Sequence, residues 1–233
     1  MILYSLQGLL IIAVLGYLFY QNLFGIFALT PILYFYLKSK KKKLLEEKKW
    51  KLNLEFRDGI QALSAALEAG YSAEHALEEA CIDLRQIYRE DDMILQEFAY
   101  MINQLRMNIT LERAFEEFGE RSGLEDIQSF AQVFSTAKRT GGDLIRVIKT
   151  TGSIISDKIE VKRDIITLIT GKRLEANMMK AIPLLIIGYL TIFSPGFLDP
   201  LYHNVFGVLI MTIFLIAYLG AFLIIDKIVA IRI

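Results

Sequence analysis

Residues 2–37 read ILYSLQGLLIIAVLGYLFYQNLFGIFALTPILYFYL, thirty-six residues without a Lys, Arg, Asp or Glu. Residues 181–198 and 204–225 are equally uncharged. The stretch between, 38–180, holds 24 of the 26 basic and 24 of the 26 acidic residues. A charged side chain at mid-bilayer costs about 2.5–3.5 kcal/mol on insertion scales, so long uncharged apolar runs mark lipid as their solvent. The chain therefore reads as a membrane protein that displays one charged domain from the bilayer surface.

Thirty-six residues exceed the twenty or so of one crossing. Gln21-Asn22 is the clearly polar pair within the run, which suggests a hairpin with spans near Ile2–Tyr20 and Leu23–Leu37, the second containing Pro31. A single tilted helix is the alternative. Lys38, Lys40, Lys41, Lys42 and Lys43 follow at once and form a membrane-surface basic cluster, which the positive-inside bias places in the cytoplasm. Lys172, Arg173 and Lys180 precede the third apolar run, and Lys227 and Arg232 follow the fourth. The expected outer loop, 194–204, carries no Lys or Arg. The expectation is thus four spans with both termini inside. A signal peptide is not expected, since the first ten residues lack a basic start and the apolar run is too long.

The hydrophobic share, 54%, exceeds the 45–50% typical of soluble domains. A single cysteine, Cys81, excludes an intrachain disulfide and fits a reducing compartment for the charged domain.

From Leu44 to Lys180 the periodicity is helical. Phe56, Ile60, Leu63, Ala66 and Leu67 form one stripe at three- and four-residue steps, ending at Ala69-Gly70. Ser72 is expected to cap a second helix that buries Ala76, Leu77 and Ala80. A third is expected over 91–107, a fourth from Thr110 to Ser122-Gly123, and a fifth over 125–139, stopped by Gly141-Gly142. The last is expected over 144–177, with Gly171 as a candidate break. Arg85–Asp92 is polar enough for an exposed loop. The fold class expected is all-α: a multi-pass membrane protein with a cytoplasmic antiparallel helical bundle between two transmembrane hairpins. The boundaries are 1–37, 38–180, 181–226 and a cytoplasmic tail at 227–233.

A weak internal repeat relates Ser72–Ala80 (SAEHALEEA) to Thr110–Phe118 (TLERAFEEF). Shared helix-start chemistry explains it as well as two similar halves would, because Glu near a helix N-terminus complements the dipole. Charge is segregated too. Residues 38–67 carry nine basic and four acidic residues, 127–180 ten and five, and 68–126 five and fifteen. The acidic middle is either a solvated face or a docking face for a basic cytosolic partner.

Chemical motifs are missing. Ile169-Thr170-Gly171-Lys172-Arg173 has Arg where a nucleotide-binding P-loop needs Ser or Thr, and Ile166 where it needs the first Gly. Near the spans the acids are Asp199 and Asp226, expected on opposite sides, so no aspartyl pair meets there. His75 and His203 offer no base to Cys81, which reads as a core residue. The spans carry no ionisable group of the kind transporters use, and Glu116-Glu117 and Asp91-Asp92 lack a calcium loop around them. The expectation is a scaffold rather than an enzyme, with no cofactor, no metal and no nucleic-acid partner.

Phe56–Ser72 (FRDGIQALSAALEAGYS) with Ala76-Leu77, Thr110–Phe118, Thr140–Leu144 (TGGDL), and Lys162–Ala181 with Pro183 together resemble the type II secretion system F domain over roughly 56–225. With one domain copy and spans on both sides, the chain is most similar to platform proteins of tight-adherence (Flp-type) pili. The resemblance implies a prokaryotic inner-membrane platform that couples a cytosolic assembly ATPase to pilin subunits. It also implies pairing with itself or with a sister platform protein. Glu112, Glu116, Glu117, Glu120, Gly141, Gly142 and Asp143 are then candidate ATPase contacts. The alternative function is a membrane-anchored signalling or regulatory protein whose helical domain recruits a cytosolic effector.

Overall fold

The computed structural model describes residues 2–20, 30–140, 143–194, 196–202 and 204–229. Among these the regular structure is entirely helical. In chain order the helices are α1 Ile2–Tyr20, α2 Thr30–Glu68, α3 Ala73–Leu84, α4 Met93–Arg106, α5 Leu111–Ser122, α6 Glu125–Thr140, α7 Leu144–Phe193, α8 Asp199–Tyr202 and α9 Val205–Val229. They divide into two compact units, one of residues 44–161 and one of residues 1–43 with 162–233.

In the 44–161 unit the expected stripe of α2 is the core: Phe56, Ile60 and Leu63 are no more than 1% exposed. Around it stand Ala76, Leu77 and Ala80 of α3, Phe98 and Met101 of α4, Phe115 and Phe118 of α5, Phe130 and Phe134 of α6, and Ile148 and Ile155 of α7. Phe56 meets Phe118 and Phe130 edge-on at centroid distances of 5.8 and 5.5 Å, and Phe115 lies 5.0 Å from Phe130. Such tilted contacts set the positive ring edge on the negative face, so the core has specific geometry as well as apolar area. Glycine at 119 lets α5 and α6 approach closely: a Cβ there would lie 3.1 Å from Gln128 Cα, so the α6 backbone would have to shift by a few tenths of an ångström. A polar tie joins three helices: Asn53 of α2 donates to Asp126 of α6 at 2.9 Å, and Lys158 of α7 donates to the other oxygen at 2.7 Å.

Helix ends follow local chemistry where a cap is present. Ser72 and Thr110 accept from the amides of His75 and Arg113 at 3.3 and 3.4 Å. Gly70 (φ +94°) and Gly123 (φ +58°) hold the left-handed positions after α2 and α5. Two boundaries differ from expectation. Helix α4 begins at Met93 rather than Asp91, because Asp92 turns back to accept from the Arg89 amide (2.9 Å) and from Lys51 (2.6 Å). Helix α7 does not end at Asn177 or break at Gly171; it runs unbroken through Gly171 and Pro183 to Phe193. The stop expected at Gly141-Gly142 lies outside the described residues.

Among the described residues, two helices are long and apolar enough to cross a membrane: α7, through its C-terminal part, and Phe206–Ile228 of α9. In their unit, Leu15 and Phe19 of α1 bury against Met211 and Leu215 of α9. Tyr20 and Thr212 hydroxyls meet at 3.0 Å, and the Tyr202 hydroxyl donates to the Leu18 carbonyl at 2.6 Å. The Gln21-Asn22 turn and most of the expected second span's side chains lie outside what is described, and α2 continues from Thr30 through the lysine cluster without interruption.

Candidate partner-docking site

The two repeat segments meet in space. Each opens a helix with a hydroxyl cap, and each places Glu at the second helical position, Glu74 in α3 and Glu112 in α5. Both carboxylates reach one ammonium: Lys138 Nζ, near the end of α6, donates to Glu74 at 2.8 Å and to Glu112 at 3.2 Å. Lys138 and Glu112 are about a quarter exposed and Glu74 about half, at 27, 24 and 49%. The hydrogen bond from Lys138 holds the Glu74 carboxyl below its ordinary value. Burial works to lower the Lys138 ammonium, but its bonds to Glu74 and Glu112 outweigh this and raise it.

The clamp floors an open cleft of about 610 Å³ lined by Glu74, His75, Glu78, Arg106, Asn108 to Glu112, and Lys138. Asn108 sits in the left-handed region at φ 63°, closing the tight turn between α4 and α5. Asn tolerates that region better than most residues, since its short side chain bonds locally.

The structure separates the four glutamates of α5. Glu112 belongs to the Lys138 clamp. Glu117 accepts from Gln104 at 2.7 Å and from Arg113 at 3.1 Å, with Arg121 3.8 Å away; the Gln104 bond foremost holds its carboxyl below the ordinary range. Arg121 also pairs with Glu97 at 2.5 Å and lies 4.7 Å above the Tyr100 ring. Glu116 is half-buried and Glu120 exposed, and neither has an ion-pair partner among the described residues. Asp143 is exposed and accepts from the Arg146 amide at 3.0 Å, capping α7. Gly141 and Gly142 lie outside the described residues, three and two positions before α7. Lys38, Lys41, Lys42 and Lys43 of α2 are exposed, and Lys40 is half-buried.

Sequence reasoning passed over Lys138 and Glu55. The repeat made Glu74 and Glu112 equivalent but carried no sign that one lysine of α6 joins them. Glu55 is 1% exposed and accepts from the Ile94 amide at 3.0 Å, so α2 supplies the cap that Asp92 withholds from α4. Lys51 Nζ stands 3.5 Å from its other oxygen.

The arrangement sets three carboxylates and the Lys138 ammonium around one cleft. A family model described as Type II secretion system (T2SS), protein F matches residues 59–192, from the C-terminal part of α2 to the end of α7. No curated protein and no solved structure matches the chain.

Proposed function

The chain belongs to the type II secretion system protein F family, and from that premise we propose that it is the inner-membrane platform of a pilus or type II secretion-like machine, coupling a cytosolic assembly ATPase to pilin insertion. Proteins of this family are membrane platforms of such machines. The observation that carries the reading is the extent of the match. It covers the last buried turns of α2 from Gly59, the whole of α3 to α6, and α7 into its apolar C-terminal run. One helix thereby carries the matched sequence from charged to lipid-like composition.

Apolar runs on both sides of the helical domain support the tight-adherence branch, with a second copy or a sister platform as partner. The 44–161 helices act as an antiparallel bundle in the cytoplasm of a prokaryotic cell. Both termini lie inside, and the Lys38–Lys43 cluster meets anionic headgroups.

Of the four α5 glutamates, Glu116 and Glu120 are the charges left for an ATPase, and Gly141, Gly142 and Asp143 are proposed as further contacts. Glu112 and Glu117 already answer internal cations, so reversing them disturbs the bundle before it reports on a partner. The test is co-purification of the full chain in detergent with the secretion-type ATPase of its own cell. Glu116→Lys with Glu120→Lys is expected to reduce capture most at low salt, where rim charges act over the longest range. The full chain alone is expected to bind no ATP. Unchanged capture and salt dependence, with native helical signal, would mean that this face is only solvated. Nucleotide turnover by the chain alone would refute the platform reading itself.

A further inference from the structure

Helix α7 stays unbroken across Pro183, inside the apolar run. Proline has no amide hydrogen, so the Met179 carbonyl loses its donor, and the ring crowds the turn before it. Among neighbours of the freed turn, α9 supplies three contacts to one residue, Lys180. The Tyr218 hydroxyl donates to the Lys180 carbonyl at 2.9 Å. The Lys180 ammonium lies 4.2 Å from the centre of the Phe222 ring and ion-pairs with Asp226. Tyr218, Phe222 and Asp226 follow at four-residue steps, so one stripe of α9 grips one residue of α7. The Lys180 side chain is only 12% exposed.

We propose that this stripe is a clasp over a proline hinge: Tyr218, bonded to the carbonyl one residue beyond the one Pro183 leaves without its donor, and the Lys180–Asp226 pair hold α7 straight there. With the clasp closed, α7 transmits displacement along its axis; with it open, α7 bends at Pro183. An ion pair flanked by apolar runs is poorly screened compared with one in water. The inference goes beyond the platform reading and does not depend on it, since it concerns this chain's own helix.

The test uses the full chain with Cys81→Ala in lipid nanodiscs, spin-labelled at Leu174 and Ile192, both well exposed. These positions flank Pro183 and lie about 27 Å apart along a straight helix at 1.5 Å per residue. The parent is expected to give one narrow distance peak. Asp226→Asn and Tyr218→Phe, made separately, are expected to lose that peak and add shorter distances. Adding Pro183→Ala, which restores the backbone donor, is expected to return the narrow peak in both. An unchanged peak in Asp226→Asn and Tyr218→Phe would overturn the clasp. Equal broadening with and without Pro183→Ala would show that the contacts only pack two helices. If Asp226→Asn does not assemble, assembly on adding Pro183→Ala supports the hinge, and failure in both backgrounds overturns it.

Discussion

At Glu55 a carboxylate 1% exposed spends one oxygen on the Ile94 amide of another helix. A helix start left without an acceptor costs about 0.5–2 kcal/mol, and a buried donor left unpaired about 1–3 kcal/mol. Glu55→Ala is therefore expected to lower stability by about 2 kcal/mol, and Glu55→Gln by less because an acceptor remains. Denaturant unfolding of the detergent-solubilised chain, followed by circular dichroism, measures both. Lys138 is a different case, since its pairs are partly exposed and screened. Lys138→Met is expected to cost about 1 kcal/mol at neutral pH, with two carboxylates left facing each other. The pH dependence has a definite sign. Glu74 titrates below its ordinary 4.5, so its share is present above pH 4.5 and lost as pH falls through the lower folded value. Lys138 titrates above its ordinary 10.5, so its share is present below pH 10.5 and lost as pH rises through the higher folded value. The difference between parent and Lys138→Met should be flat between these limits and close outside them. A difference that changes across neutral pH would show that another group controls the clamp.

Among the elements, the α5–α6 pair is set by the glycine at 119. The nearest atoms to a Cβ there are Gln128 Cα at 3.1 Å and Gln128 Cγ at 3.2 Å, so backbone as well as side chain must give way. Gly119→Leu is expected to separate the two helices and cost about 1–3 kcal/mol, the usual range for overpacking. The loss should appear as a lower denaturation midpoint with an unchanged slope. Gly70 offers a contrast, with nothing within 4 Å of its Cβ position and φ at +94°. There a substitution is resisted by backbone conformation rather than by a neighbour. Helix α7 shows the same separation of causes, since neither Gly171 nor Pro183 ends it.

For the whole molecule, the distribution of charge argues topology. Single cysteines placed within 194–204 in a Cys81→Ala background should react with an impermeant thiol reagent from outside intact cells. Cysteines at 38–43 should react only after lysis. External reactivity at 38–43 would overturn both the orientation and the reading of the lysines as a cytoplasmic headgroup anchor. The two compact units differ in surface. The 44–161 unit closes an aromatic core, whereas the other turns Leu185, Ile192, Phe214 and Leu223 outward at 68, 73, 61 and 69% exposure. Those exposures suit lipid and would be a liability in water.

What the sequence by itself determined was whatever depends on neighbours along the chain and on the surrounding solvent. The helical period of residues 56–67, the caps at Ser72 and Thr110, the left-handed stop at Gly70, the helix end at Gly123, and the apolar runs of α7 and α9 were all legible, because each depends on residues close together in the chain. The family followed from the order of such segments. Tertiary structure alone decided that Glu74 and Glu112 converge on Lys138, 64 and 26 residues away. It alone decided that Glu55 rather than Asp92 caps α4, and that Glu117 is answered from within while Glu116 and Glu120 are not. A carboxylate's partner is chosen by which helix packing brings within about 3 Å, and no spacing along the chain encodes that distance.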